Sequence, residues 1–145
     1  MKISFTYENE IEIHNPEYEF QLTDEDFCEL NKGVKNLNVK FIPRKEIGCA
    51  TGTEVLITVF ATILKQMIED GSIEIFVSSL VQIMRKLSCK YKNSMDPTPY
   101  LTLSIKIDDG ELNLNLGNMS DSDEVKMDAI TKTMETVKEF IKHIN

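Results

Sequence analysis

Cysteine and histidine are scarce in this chain, and their scarcity excludes more than any single motif suggests. Three cysteines and two histidines are spread over 145 residues. Cys28, Cys49 and Cys89 are odd in number and widely spaced, which fits neither a disulfide framework nor a paired metal knuckle. They are expected to be reduced, partly buried thiols. His14 and His143 lie far apart in sequence, and nothing around either supports a Cys–His nucleophile pair. No glycine-flanked serine elbow occurs, nor a serine followed three residues later by lysine. No cofactor, metal or catalytic residue is therefore expected. Positive charge is also short: 16 basic against 24 acidic residues leave a net charge of −8. That balance repels phosphate backbones and anionic membranes, so neither nucleic acid nor a membrane is an expected partner. Long apolar runs are missing too. The stretch from Ile47 to Ile68 still contains Glu54, Lys65 and four threonines, too polar to span lipid. Met1-Lys2-Ile3-Ser4-Phe5 alternates like a strand and lacks the apolar block of a secretory leader, so the expected location is cytosolic.

What is present reads as one α+β domain, a size at which a single core buries roughly two-thirds of the unfolded surface. The expected sheet is mixed or antiparallel and packs against a central helical hairpin and a C-terminal helix. Apolar residues from Val55 to Ile68 cover most of a helical circumference, predicting a buried helix over 53–70. Gly71 ends it in the left-handed conformation, and Ser72 is expected to cap the next helix, over 73–91. That helix carries Ile73, Phe76, Val77, Leu80, Ile83, Met84 and Leu87 on one face.

The flanking elements are shorter. Alternation over Ile3–Tyr7 and again at Ile11 and Ile13 predicts a hairpin turning at Glu8-Asn9-Glu10, with a further extended piece at Tyr18, Phe20 and Leu22. Thr23-Asp24-Glu25-Asp26 has the form of a capped helix start, giving a helix over 24–32 closed by Gly33, with Phe27 and Leu30 inward. Val39 and Phe41 predict a strand ended by Pro43. Leu101 to Ile107, Asp108-Asp109-Gly110 and Leu112 to Leu116 predict a β-hairpin with one apolar face. A final helix capped within Ser120–Glu124 carries an apolar stripe of Met127, Ile130, Met134, Val137, Ile141 and Ile144.

Two constellations qualify as sites. The loop Gly48-Cys49-Ala50-Thr51-Gly52-Thr53 lies ahead of the predicted central helix, with Arg44 and Lys45 before it. Backbone amides at such a place can hold an anion, making Gly48, Thr51, Gly52, Thr53 and Arg44 a possible ligand loop. A phosphate-binding loop requires lysine where Thr53 stands, and the competing reading is a tight turn. The second is the basic cluster Arg85, Lys86, Lys90 and Tyr91. It offers a docking patch for an acidic partner, or simply cations favoured by a helix C-terminus. Asp121 to Lys126 lacks the glycine of a calcium loop and reads as a helix start; Asp108 and Asp109 read as a turn.

Taken together, Gly48 with the Glu54-Val55-Leu56 segment behind it, Gly71 between two helices, the basic Arg85-Lys86 end, and Asp109-Gly110 between alternating strands resemble the effector-associated constant component family of bacterial proteins. The resemblance spans roughly residues 35–117. It implies a non-enzymatic component of a bacterial conflict or anti-phage system, working beside variable effector modules through a protein partner. Two alternatives stand beside it: an acidic immunity or antitoxin-like protein that neutralises a basic toxin, and a small sensor or enzyme holding a phosphorylated ligand at Gly48–Thr53. Pairing with a second copy through the apolar central segment is a further possibility.

Overall fold

A computed structural model describes residues 9–14, 22–44, 54–91, 100–118 and 122–144. In chain order the elements are β1 (Asn9–His14), α1 (Asp24–Gly33), β2 (Val39–Arg44), β3 (Glu54–Phe60), α2 (Ala61–Asp70), α3 (Ile73–Tyr91), β4 (Tyr100–Ile107), β5 (Gly110–Asn118) and α4 (Asp123–Lys142). The five strands form one mixed sheet in the order β2-β1-β3-β4-β5. β1 is parallel to β2 and antiparallel to β3; β3 is parallel to β4, and β4 and β5 form the antiparallel hairpin. The chain is thus α+β, with a mixed sheet against helices.

Connectivity explains where the helices go. The β1-α1-β2 crossover moves one way along the sheet, and the β3-α2-α3-β4 crossover moves the other way from an oppositely directed strand. The usual right-handed turn carries both sets of helices to the same face. Contacts of α3 with α1 and α4, and of α4 with α2 and β5, join all four helices in that layer. The core lies between. Ile13, Ile57, Leu103 and Leu114 align across four strands, and the Phe41 ring stacks on Phe76 of α3 at 6.5 Å and 9° between planes.

The main correction concerns 53–70. The segment Glu54–Phe60 is a strand, and helix begins only at Ala61. Val55, Ile57, Thr58 and Val59 are buried, as a central strand between two neighbours requires. Such a continuous apolar run has no alternation to distinguish it from a buried helix. Its β-branched content suits the strand, where branching at Cβ costs little.

Smaller expectations divide. The α1 start has the full capping box: Asp26 N–H donates to Thr23 Oγ1 at 3.3 Å and Thr23 N–H to Asp26 Oδ2 at 2.8 Å. Gly33 is the last helical residue rather than a left-handed stop, since Val34 is the C-cap. Asn9 and Glu10 belong to β1 instead of a turn. β2 runs through Pro43 to Arg44, which an edge position permits. Gly71 does adopt the left-handed conformation, at φ 81. Ser72 does not cap α3 with its hydroxyl, which donates to Asp70 Oδ1 at 2.5 Å. The hairpin turn sits at Asp108-Asp109, and α4 is capped by Ser122, whose Oγ accepts from Val125 N–H. On α4, Ile130, Met134, Val137 and Ile141 are buried as expected, but Met127 is 41% exposed and Lys126 is 5% exposed. Lys126 takes the inward position four residues before Ile130, with its stem in the core layer and its Nζ donating to Ser88 Oγ. Cys28 and Cys89 are exposed rather than partly buried. The expected extended pieces at Ile3–Tyr7 and at Tyr18 and Phe20, and Cys49, lie outside the described residues.

Candidate functional site

On the face of the sheet opposite the helices, Glu12, Thr58, Ser104 and Asn113 form one row across four strands. Arg44 Nη1 donates to Glu12 Oε2 at 2.6 Å. His14 Nε2 lies 3.0 Å from Thr58 Oγ1 and 3.7 Å from that same Glu12 oxygen. Farther along, Ser104 Oγ donates to Glu111 Oε2 at 3.2 Å. A hydroxyl, a histidine and a carboxylate thus meet, but a hydrolase relay needs the acid on one ring nitrogen and the nucleophile on the other. Here Nε2 faces both, and Arg44 already holds the carboxylate. The contacts tie β2, β1 and β3 together side by side.

Of the expected ligand loop only Arg44 is described, and it is committed to Glu12; Gly48, Thr51, Gly52 and Thr53 lie outside the described residues. Of the expected basic patch, Arg85 is exposed on α3. Lys86 turns to α1, where its Nζ pairs with Glu29 and lies 3.5 Å from Asp26 Oδ1. The Glu29 carboxylate, and to a lesser degree Asp26, raise the Lys86 ammonium above its ordinary value. Lys86 is thereby a clamp between α1 and α3. Lys90 and Tyr91 complete α3. Among the described residues no group of His, Cys, Asp and Glu could hold a metal ion, and no helix is long and apolar enough to cross a membrane.

The sheet's two edges differ sharply, and neither was visible before strand order was known. At β2, Asn31 of α1 uses its side-chain amide as a substitute strand: Phe41 N–H donates to Asn31 Oδ1 at 2.8 Å, and Asn31 Nδ2 donates to Phe41 C=O at 3.0 Å. Pro43 has the same strand parity and no N–H to offer. Lys40 and Arg44 add charge. Side-chain cover, a proline and charge, three devices that blunt an edge, thus meet at β2.

At β5 the pattern is reversed. Glu111 to Asn115 run in regular register against Lys106 to Thr102, and the irregularity comes only beyond, at Leu101/Thr102. Alternate backbone N–H and C=O groups of this stretch point away from β4. Among the described residues no strand pairs there. From Leu112 to Asn118 the strand has no charged residue and no proline. Leu112 and Leu114 are half-buried on the helix side, while Asn113 and Asn115 are exposed on the other. This is a ready template for one more strand.

Comparison with protein-family models, with curated proteins and with solved structures finds no match to this chain.

Proposed function

We propose that this chain is a non-catalytic protein-interaction component that takes an extended segment of its partner as a sixth strand beside β5. The observation that carries the reading is the contrast between the edges: β2 is sealed by Asn31 and Pro43, while among the described residues β5 runs uncovered and in regular register over Glu111–Asn115, with no charge from Leu112 onward. Strand addition draws affinity from main-chain hydrogen bonds and specificity from alternate side chains. The fitting segment therefore alternates apolar residues, to meet Leu112 and Leu114, with polar ones that meet Asn113 and Asn115. Basic residues flanking it suit a protein of net charge −8. The setting that the resemblance implies is the bacterial cytoplasm, in a conflict or anti-phage system, with an effector protein as partner. A basic toxin captured at the same edge is the second reading, and the net charge favours it.

The test is affinity purification of the tagged chain from its native host, run in parallel with an Asn113→Lys variant. A lysine on the exposed side of β5 blocks strand addition and repels basic flanks. A stoichiometric partner that is lost with the variant, and that slows amide exchange over Glu111–Asn115 in the wild-type complex, is the expected result. A partner retained undiminished by the variant, or no partner at all, overturns the reading. The partner's own activity separates effector from toxin.

A further inference from the structure

A cavity of about 230 Å³ lies off the amino ends of β1 and β2, beside α2. Its apolar wall is Val39, Ile63 and Met67, all buried in the core. Its polar lining comes from Asn9, Asn36, Asn38 and Gln66, all residues with side-chain amides. The side-chain amides of such residues can accept or donate and carry no charge of their own.

Among the described residues one charge completes the lining. Asp70 and Ser72 flank Gly71, whose left-handed backbone at φ 81 reverses the chain between α2 and α3. Ser72 holds the carboxylate through two donors on one oxygen: the hydroxyl at 2.5 Å and the backbone N–H at 2.9 Å, both to Asp70 Oδ1. Those bonds, the hydroxyl's first, keep Asp70 below the ordinary carboxylate range. They also fix its orientation and leave Oδ2 for another donor. Among the described residues no lysine, arginine or histidine lines the cavity, so an anion there would meet the Asp70 carboxylate in a protein already at −8.

We propose that this cavity binds a small organic ammonium ion, a primary amine on a short apolar stem. An ammonium carries three donors and no acceptor. Asp70 Oδ2 takes one, amide carbonyl oxygens on the rim take the others, and the stem lies on Ile63 and Met67. The protein's negative field raises the local concentration of such cations. The site is independent of β5 and gives an interaction component a small-molecule input.

The test is an NMR titration of the full chain with 1,4-diaminobutane, with sodium chloride, sodium acetate and sodium phosphate as separate controls at matched ionic strength. The expected result is saturable movement of the side-chain amide signals of Asn9, Asn36, Asn38 and Gln66 with the diamine and with none of the salts. Asp70 is on the surface, so Asp70→Asn is expected to fold, and it should weaken diamine binding roughly tenfold. Ser72→Ala, which keeps the charge but frees the carboxylate, should weaken it less. Equal movement with sodium chloride, no saturation, or unchanged affinity in Asp70→Asn would each overturn the assignment.

Discussion

The two edges of this sheet solve the same problem in opposite ways. At β2 a side chain from a neighbouring helix occupies the outward backbone groups of Phe41, proline removes the next donor, and two cations flank them. At β5 a longer strand presents its outward groups over Glu111–Asn115 with no proline and, among the described residues, no side chain from a neighbouring helix covering them. An unguarded edge is an aggregation hazard that natural sheets ordinarily suppress. Since the same chain closes one edge, the open one is where the proposed pairing with another chain would take place.

The comparison can be broken most severely from the closed side. Phe41 is 1% exposed, lies in register with Ile11 and stacks on Phe76. Phe41→Ala removes that ring from the core and should cost about 3–5 kcal/mol in urea denaturation, enough to free β2 from the sheet. A gentler break is Asn31→Ala, which leaves the core intact and uncovers both backbone groups of Phe41. The expected loss is about 1–3 kcal/mol, with new self-association by light scattering as β2 becomes a second open edge. Asn31→Asp sharpens this: a carboxylate still accepts from Phe41 N–H but cannot donate to Phe41 C=O, so its loss should equal or exceed that of alanine. If Asn31→Ala stays monomeric and fully stable, the edge is not being sealed by this amide.

Little of that contrast is legible in the sequence, for physical reasons. Capping boxes, the Gly71 stop and the β4–β5 hairpin act within a few residues, so the local pattern carries them. Glu54–Phe60 misleads because burial on both faces erases the period that separates strand from helix. Asn31 looks like any polar residue on a helix, and its partner lies ten positions away in β2. The Leu-Asn alternation of β5 announces a strand but not whether that strand is central or at an edge. That is decided by β3, the element that sequence reading assigned to a helix. Of the candidate sites, Arg44 and Lys86 are drawn into ion pairs by residues distant in sequence, Glu12 and the α1 carboxylates, which no spacing rule connects to them.

A smaller effect comes from the clamp that holds α1, and with it Asn31, against the helix layer. Lys86→Met keeps the stem and removes the pairs with Glu29 and Asp26, at an expected cost of about 0.2–1 kcal/mol for so solvated a pair. Its pH dependence has a definite sign. The folded-state ammonium is raised above its ordinary value of 10.5, so its contribution is complete below that value and disappears as pH rises through the raised one. Melting temperatures of wild type and variant should differ at neutral pH and converge in strong alkali. A gap that instead widens with alkali would mean that Lys86 is not stabilised as a cation.

The smallest expected effect is the most informative. Asn113→Lys lies on the exposed side of β5, where the native side chain makes one 3.3 Å bond to Glu111 Oε1. Replacing it should leave the unfolding free energy within about 0.5 kcal/mol of wild type, since lysine stays in water and approaches Glu111 with favourable charge. An edge strand that among the described residues pairs with β4 alone and packs on the core has nothing to lose from a solvated cation on its outer side. If the variant unfolds easily, something already packs on Asn113, and β5 is a covered strand rather than an open one. If it folds normally yet no longer accepts a partner, the cost falls wholly on association. The two edges would then differ in function as they do in construction.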